Sequence, residues 1–407
     1  MVPSRRRFLE LTGLAVTGTL ASNVVAGGPK SAPTPTPAYD WPMDRYDPEG
    51  TGYNPAASGP KDGVEVAWSH DSTDWFRGTE SPILLGDTLY AVGEGLLALD
   101  AETGAKKFGH PGPYQSPPAR SHSSVYNTDT LAVGSSAGVF GLNADGGVGL
   151  PLTGTRFGVE RWNQRYETGG LFFGPAEPVA PVVADGEIYT PVPGESDITA
   201  LDPNDGETRW RTTITEDDTV GADFNRPAVK DGLVYVTYWP NGVAALHTES
   251  GEKHWQRTVD EQLLLPPIAT EAGLVVPSRE VVWLLDPNDG TTLWKRTLDA
   301  NATESTPAVA DGIIFVTDEL ESLHALDLET GETLWTAPFG GATAPVVADG
   351  VVYAVKEGYS LFAFDAETGA KRFEFQPPQV PLSAPVVGDG VVYAVNRERV
   401  IALEEAK

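Results

Sequence analysis

Short apolar runs alternate with tight turns along this chain, and the grouping recurs about every 40 residues from Pro82 to the C-terminus. Eight copies can be aligned, each opening on a proline: Pro82, Pro117, Pro181, Pro227, Pro267, Pro307, Pro345 and Pro385. Residues 306–335 and 344–373 are the clearest. Within a copy a Pro-led strand reaches an Asp-Gly turn, as at Asp311-Gly312 and Asp349-Gly350, a dipeptide that tolerates the positive φ of a two-residue hairpin. A Val/Ile/Tyr-rich strand follows, then a variable connection. A third strand ends in Ala-Leu-Asp, as at Ala325-Leu326-Asp327, before a second tight turn and a fourth strand carrying an aromatic. Four antiparallel strands so punctuated form one blade of a radial array, which predicts an all-β, eight-bladed β-propeller.

The aromatic lies four residues beyond the turn glycine at Phe108, Trp210, Trp255, Trp294, Trp335 and Phe373. A large ring placed identically in successive blades is expected to pack between neighbouring sheets. The eighth copy stops at Ala402-Leu403-Glu404, before its fourth strand. The missing piece stands near the start, where Val64-Glu65-Val66-Ala67-Trp68 alternates like a strand. Trp68 then supplies the last docking ring, and the two ends of the chain lock the circle.

Charge changes the picture next. The 407 residues carry 57 Asp plus Glu against 28 Lys plus Arg, a formal net charge of −29. Nucleic acid, which demands clustered positive charge, is excluded as a partner. Such self-repulsion is relieved only at high ionic strength, which predicts a protein of a salt-adapted organism. The chain has no cysteine, so disulfides and thiolate metal sites are excluded.

At the N-terminus, Ser4-Arg5-Arg6-Arg7-Phe8-Leu9 precedes a mildly apolar stretch with small residues at Val24-Val25-Ala26. Residues 1–26 are expected to be a twin-arginine export signal. Residues 27–39 form a Pro/Thr-rich linker, and residues 40–407 a single propeller with an insertion at about 148–178 after blade two. The working compartment is then extracellular or the cell surface, with no stable transmembrane span expected. Asn301-Ala302-Thr303 is an N-glycosylation sequon.

Ala-Leu-Asp-x-x-Thr-Gly-x-x-x-Trp, seen at 325–335 and in the variant at 200–210, resembles the tryptophan-docking motif of the pyrroloquinoline-quinone-like propeller repeat family. That family includes quinoprotein alcohol dehydrogenases and BamB-type propellers of outer-membrane assembly. Trp41-Pro42 with Thr51-Gly52-Tyr53-Asn54-Pro55 is similar to the family's lead-in segment. The resemblance implies the propeller fold for residues 40–407 and leaves two functions open. One is a non-catalytic binding scaffold without a cofactor. The other is a dehydrogenase for alcohols or sugars, using pyrroloquinoline quinone with calcium. The adjacent cysteines that cap the quinone in the dehydrogenases are missing here, which favours the scaffold.

No catalytic residue or metal site is expected. The loops Asp202-Pro203-Asn204-Asp205-Gly206 and Asp286-Pro287-Asn288-Asp289-Gly290 lack the spacing of a calcium loop. The six histidines show no metal-helix spacing. The first and third turns of every blade share one face and are short. Irregular loops share the other face, and rings with cations gather in them: Trp75, Arg77, Tyr114, Arg161, Trp162, Arg165, Tyr166, Phe224, Arg226, Tyr238 and Trp239. Aromatics and Arg are the side chains of interface anchors. These residues are therefore the expected contact surface for a protein or glycan at the cell envelope.

Overall fold

The computed structural model describes residues 39–407, apart from 73–79, 94, 151–155, 167–177, 216–222, 263, 300–304, 319, 321, 342, 357–358 and 379–380. The export segment, the sequon and Trp75 and Arg77 therefore lie outside the described residues. All regular structure among those described is strand, arranged as an eight-bladed β-propeller of four-stranded antiparallel blades. Blade six shows the pattern: Ala308–Ala310, Ile313–Asp318, Ser322–Asp327 and Thr333–Pro338, paired in chain order from the inside outwards. Asp185, Asp231, Asp311 and Asp349 take φ of 45–51° in the first turns, each followed by a glycine of positive φ. Asp, which tolerates that left-handed region, and Gly, which has no Cβ to clash there, make the reversal without strain.

Docking rests on a repeated irregularity. In all eight blades the third and fourth strands slip register one step before the aromatic, as between Ala200 and Leu201. Except in blade five, where Leu284 faces Trp294, the slip sets the ring opposite a small residue, as in Ala200↔Trp210, Ala245↔Trp255 and Ala325↔Trp335. Each indole then crosses to the next blade. Trp210 donates Nε1–H to Thr248 O (2.7 Å), Trp255 to Pro287 O (2.8 Å), Trp294 to Leu328 O (3.0 Å) and Trp335 to Ala366 O (3.1 Å). Phe108 and Phe373 have no N–H to donate and are both buried, Phe108 with the Arg156 guanidinium 5.0 Å over its ring.

Val64–Asp71 pairs antiparallel with Arg399–Glu405 as the fourth strand of blade eight. Trp68 donates to Ala101 O of blade one at 2.9 Å, closing the ring. Blade two departs from the sequence expectation. Its fourth strand is Glu160–Arg165, inside what reads as an insertion, and an extra ribbon of Val148–Gly149 with Arg156–Phe157 fills the preceding turn. Trp162 is the ring of this blade. It is buried, donates to Pro203 O at 2.9 Å, and packs where a Cβ on Gly206 would stand 2.5 Å away. The spacing survives relocated, because Gly158 stands four residues before Trp162.

Candidate functional site

The inner strand of every blade presents an unpaired edge to the central channel, and such edges seek partners. Residues 39–60 supply them. Trp41 exchanges two backbone bonds with Leu84 of blade one, and Arg120 N of blade two donates to Pro42 O. Met43 joins the buried cluster containing Val182 of blade three. Val229, Ala269, Val309 and Val347 then donate in turn to Pro48, Glu49, Thr51 and Gly52 across blades four to seven. Gly390 N of blade eight donates to Ser58 O at 2.7 Å. Tyr53–Asn54 even adds a parallel strand to Val346–Ala348. The lead-in therefore laces all eight blades together.

Three arginines anchor it. Arg45 is buried, with Nη1 donating to Pro345 O (2.9 Å) and Nη2 to Pro307 O (2.7 Å). Burial pushes its guanidinium down to about 10, so it stays charged at neutral pH. Arg226, also buried, donates to Asp44 O (2.8 Å) and Asp47 O (2.7 Å). Arg120 pairs with buried Asp40 at 2.8 Å. Desolvation pushes the Asp47 carboxyl up to about 6, although Thr51 donates to it from both N and Oγ1. Arg45 and Tyr46 sit at φ 59° and 74°, a left-handed turn that over-determined packing alone sustains.

Nine of the eleven expected contact residues are among those described, and they differ widely in burial. Tyr114, Trp162, Phe224, Arg226 and Tyr238 are buried. Tyr114 packs edge-on against Phe140 at 5.4 Å, and Phe224 lies 5.6 Å from Tyr238. Burial raises the Tyr166 hydroxyl to about 12, and Arg211 stands 5.9 Å from its ring. Arg161 bonds Thr130 Oγ1 at 2.6 Å and covers the Tyr126 ring at 4.2 Å. Arg165 and Trp239 are exposed.

Exposed apolar side chains collect elsewhere. Val125 (66% exposed), Tyr126, Val148 (71%), Leu150 and Phe157 (58%) stand on the first and third turns of blade two. Thr128 Oγ1 donates to Asn143 Oδ1 at 2.9 Å and ties the two loops together. Both open on the face that reads as uniform in sequence. Sequence reasoning missed these residues because the ribbon interrupts the third turn; Val148 opposite Phe157 across a Gly-rich stretch was the available cue.

A family model described as outer membrane protein assembly factor BamB matches residues 194–279 and 278–407, together more than half of the chain. The chain belongs to this family. Outer membrane protein assembly factor BamB of Yersinia pestis is 28% identical over 157 residues, 35% of this chain and 39% of that protein. The chain thus spans about two fifths of that curated relative. Among solved structures, quinohemoprotein alcohol dehydrogenase from Comamonas testosteroni superposes with a TM-score of 0.70 at 15% identity, over 91% of this chain and 81% of that one. BamB from Moraxella catarrhalis superposes with a TM-score of 0.62 at 16% identity, over 84% and 100%. At those identities the likeness establishes the fold.

A BamB-family propeller shares its architecture with quinone enzymes, and its central depression is the place where such a cofactor would have to fit. On the face of the inter-blade connections, Trp41, Asp44 and Arg45 form one side of a cavity of about 300 Å³. Glu80, Thr343 and Pro385 are among the residues completing it. A quinone there needs a base beside it and a divalent cation. Both terminal nitrogens of Arg45 are committed to backbone carbonyls, and Asp44 faces Arg226 at 3.5 Å. Among the described residues no group of three or more His, Asp or Glu side chains is placed to hold a metal ion. The donor set does not fit the quinone–cation pair, and no step is derived through it.

Proposed function

We propose that this BamB-family protein is an exported, non-catalytic scaffold that holds a protein partner at the cell envelope through the apolar loops of blade two. The observation that carries this reading is the group of Val125, Tyr126, Val148, Leu150 and Phe157, five large apolar side chains exposed on two adjoining loops of one blade in a strongly acidic chain. Contiguous apolar exposure of this kind marks interaction sites. Family membership supports a role in assembly, and the filled channel supports work without chemistry. The reading needs no cofactor. Twin-arginine export belongs to it, because that route carries cargo already folded.

The test replaces Val148, Leu150 and Phe157 with Ser and measures retention of envelope proteins by the purified propeller in high salt. Binding is expected to fall about thirtyfold or more, the range of a lost hot spot, with the melting temperature unchanged. Equal retention by the variant would remove the blade-two surface from the reading. Displacement of the partner by soluble oligosaccharide would point to a glycan, and dye reduction with alcohols or aldoses after adding quinone and calcium would point to the dehydrogenase.

The acidic excess extends the reading to a salt-adapted cell. Dilution well below molar salt is expected to unfold the protein, as followed by circular dichroism, because screening no longer offsets a net charge of −29. Full stability at low ionic strength would contradict it.

A further inference from the structure

In six blades the third turn carries a pair of positions seven residues apart that face one another across the hairpin. In blade one the pair is Asp100 and Lys107, 3.8 Å apart. In blade three it is Asp202 and Arg209, an ion pair, and in blade seven Asp365 and Arg372 at 2.6 Å. Blades five and six keep the acid and place Leu293 and Leu334 opposite. Blade four replaces both partners. His247 stands where the acid should be and His254 where the cation should be, just before the docking Trp255.

The two imidazoles are exposed, with ring centroids 4.9 Å apart and planes at 69°. Among the described residues neither has a hydrogen-bond partner, unlike His70, His122 and His324, which contact Gly104 O, Asp129 and Asp318. Metal–nitrogen bonds of about 2.0–2.1 Å, at angles between square-planar and tetrahedral, set cis imidazole centroids roughly 4.5–5.1 Å apart. The observed separation falls inside that window. Each ring also rides on a strand, and the turn between the strands is fixed by the His247 N→Glu252 O and Gly251 N→His247 O bonds, so the backbone holds the two positions side by side.

We propose that His247 and His254 form a surface site for a divalent transition metal ion, with copper(II) the preferred occupant. The two imidazoles provide cis ligands, and water completes the coordination. Imidazole suits copper, nickel and zinc, and copper(II) stands highest in the general affinity order. Copper(II) also accepts a tetragonal set of two nitrogens with water oxygens, whereas a closed structural zinc site demands four protein ligands. The chain has no cysteine to compete for the ion. This inference does not depend on the scaffold reading, since it concerns the outer edge of blade four.

The experiment uses the full chain without a histidine tag, in high salt, and titrates copper(II) alone by calorimetry and by electron paramagnetic resonance. One equivalent is expected to bind with hyperfine structure from two nitrogens. Either His247→Ala or His254→Ala should weaken binding by at least about tenfold, since even outer-shell partners command that much. The double change His247→Asp with His254→Arg, which restores the pair of blades three and seven, should leave a folded propeller without the two-nitrogen signal. No uptake by the native chain, or uptake unchanged in these variants, would overturn the proposal.

Discussion

Removing residues 64–71 is expected to turn a single cooperative unfolding transition into a broad one at much lower denaturant. The segment is the whole fourth strand of blade eight, in register from Val64↔Glu405 to Asp71↔Arg399. Without it, Arg399–Glu405 becomes a bare edge and Tyr393 loses the Trp68 ring packed 6.0 Å away. Trp68 is half-buried, so its loss costs part of the roughly 3–5 kcal/mol of a fully buried Trp. Here the same residue carries the bond to Ala101 O and covers Gly104 of blade one. Its loss therefore separates the first and last blades as well as weakening one of them. Urea unfolding with hydrogen exchange reads both effects: a lower m-value and early exchange in blades one and eight. The same eight residues appended after Lys407 through a short turn should restore the transition, because the register asks only that the strand reach its neighbour. A deletion that melts like the parent chain would refute ring closure.

The ring itself was legible because its instructions are local. Each Pro-led strand, Asp-Gly turn and Gly-x-x-x-Trp spacing lies within one copy, and the repetition corrects any single ambiguous blade. Blade two shows where that fails. The ribbon at 148–157 displaces Trp162 from its usual place, and only Gly158, four residues ahead, preserves the spacing. The surface was less legible for a different reason. Irregular loops read as exposed, yet Tyr114, Phe224 and Tyr238 are buried, Tyr114 against Phe140 and Phe224 against Tyr238. Arg226 is buried by residues 44–47, some 180 positions away in sequence. No local pattern announces such a contact. The lead-in, likewise, shows its family resemblance in sequence but not that it fills the channel. Its partners, Pro307 and Pro345, lie 262 and 300 residues from Arg45.

Those long-range bonds carry the second large effect. Arg45→Ala should cost about 2–4 kcal/mol: it relieves the burial of a charge but strands two buried carbonyls, each worth about 1–3 kcal/mol when left without a donor. Gly52→Ala should cost more. Gly52 sits at φ 66°, and an added Cβ would collide with the Arg45 guanidinium. The substitution thus adds left-handed strain of about 1–3 kcal/mol and displaces the guanidinium from the Pro307 and Pro345 carbonyls. In the Arg45→Ala background that guanidinium is gone, and Gly52→Ala should cost only its backbone strain. The two changes are therefore expected to be strongly non-additive, with a coupling of at least about 1 kcal/mol in urea unfolding. Additive losses would mean that Gly52 is required by its own turn alone. The coupling would instead establish that the lead-in of residues 39–60 and its central arginine act as one bolt through blades six and seven, which is why a ring of eight separate sheets can unfold as one body.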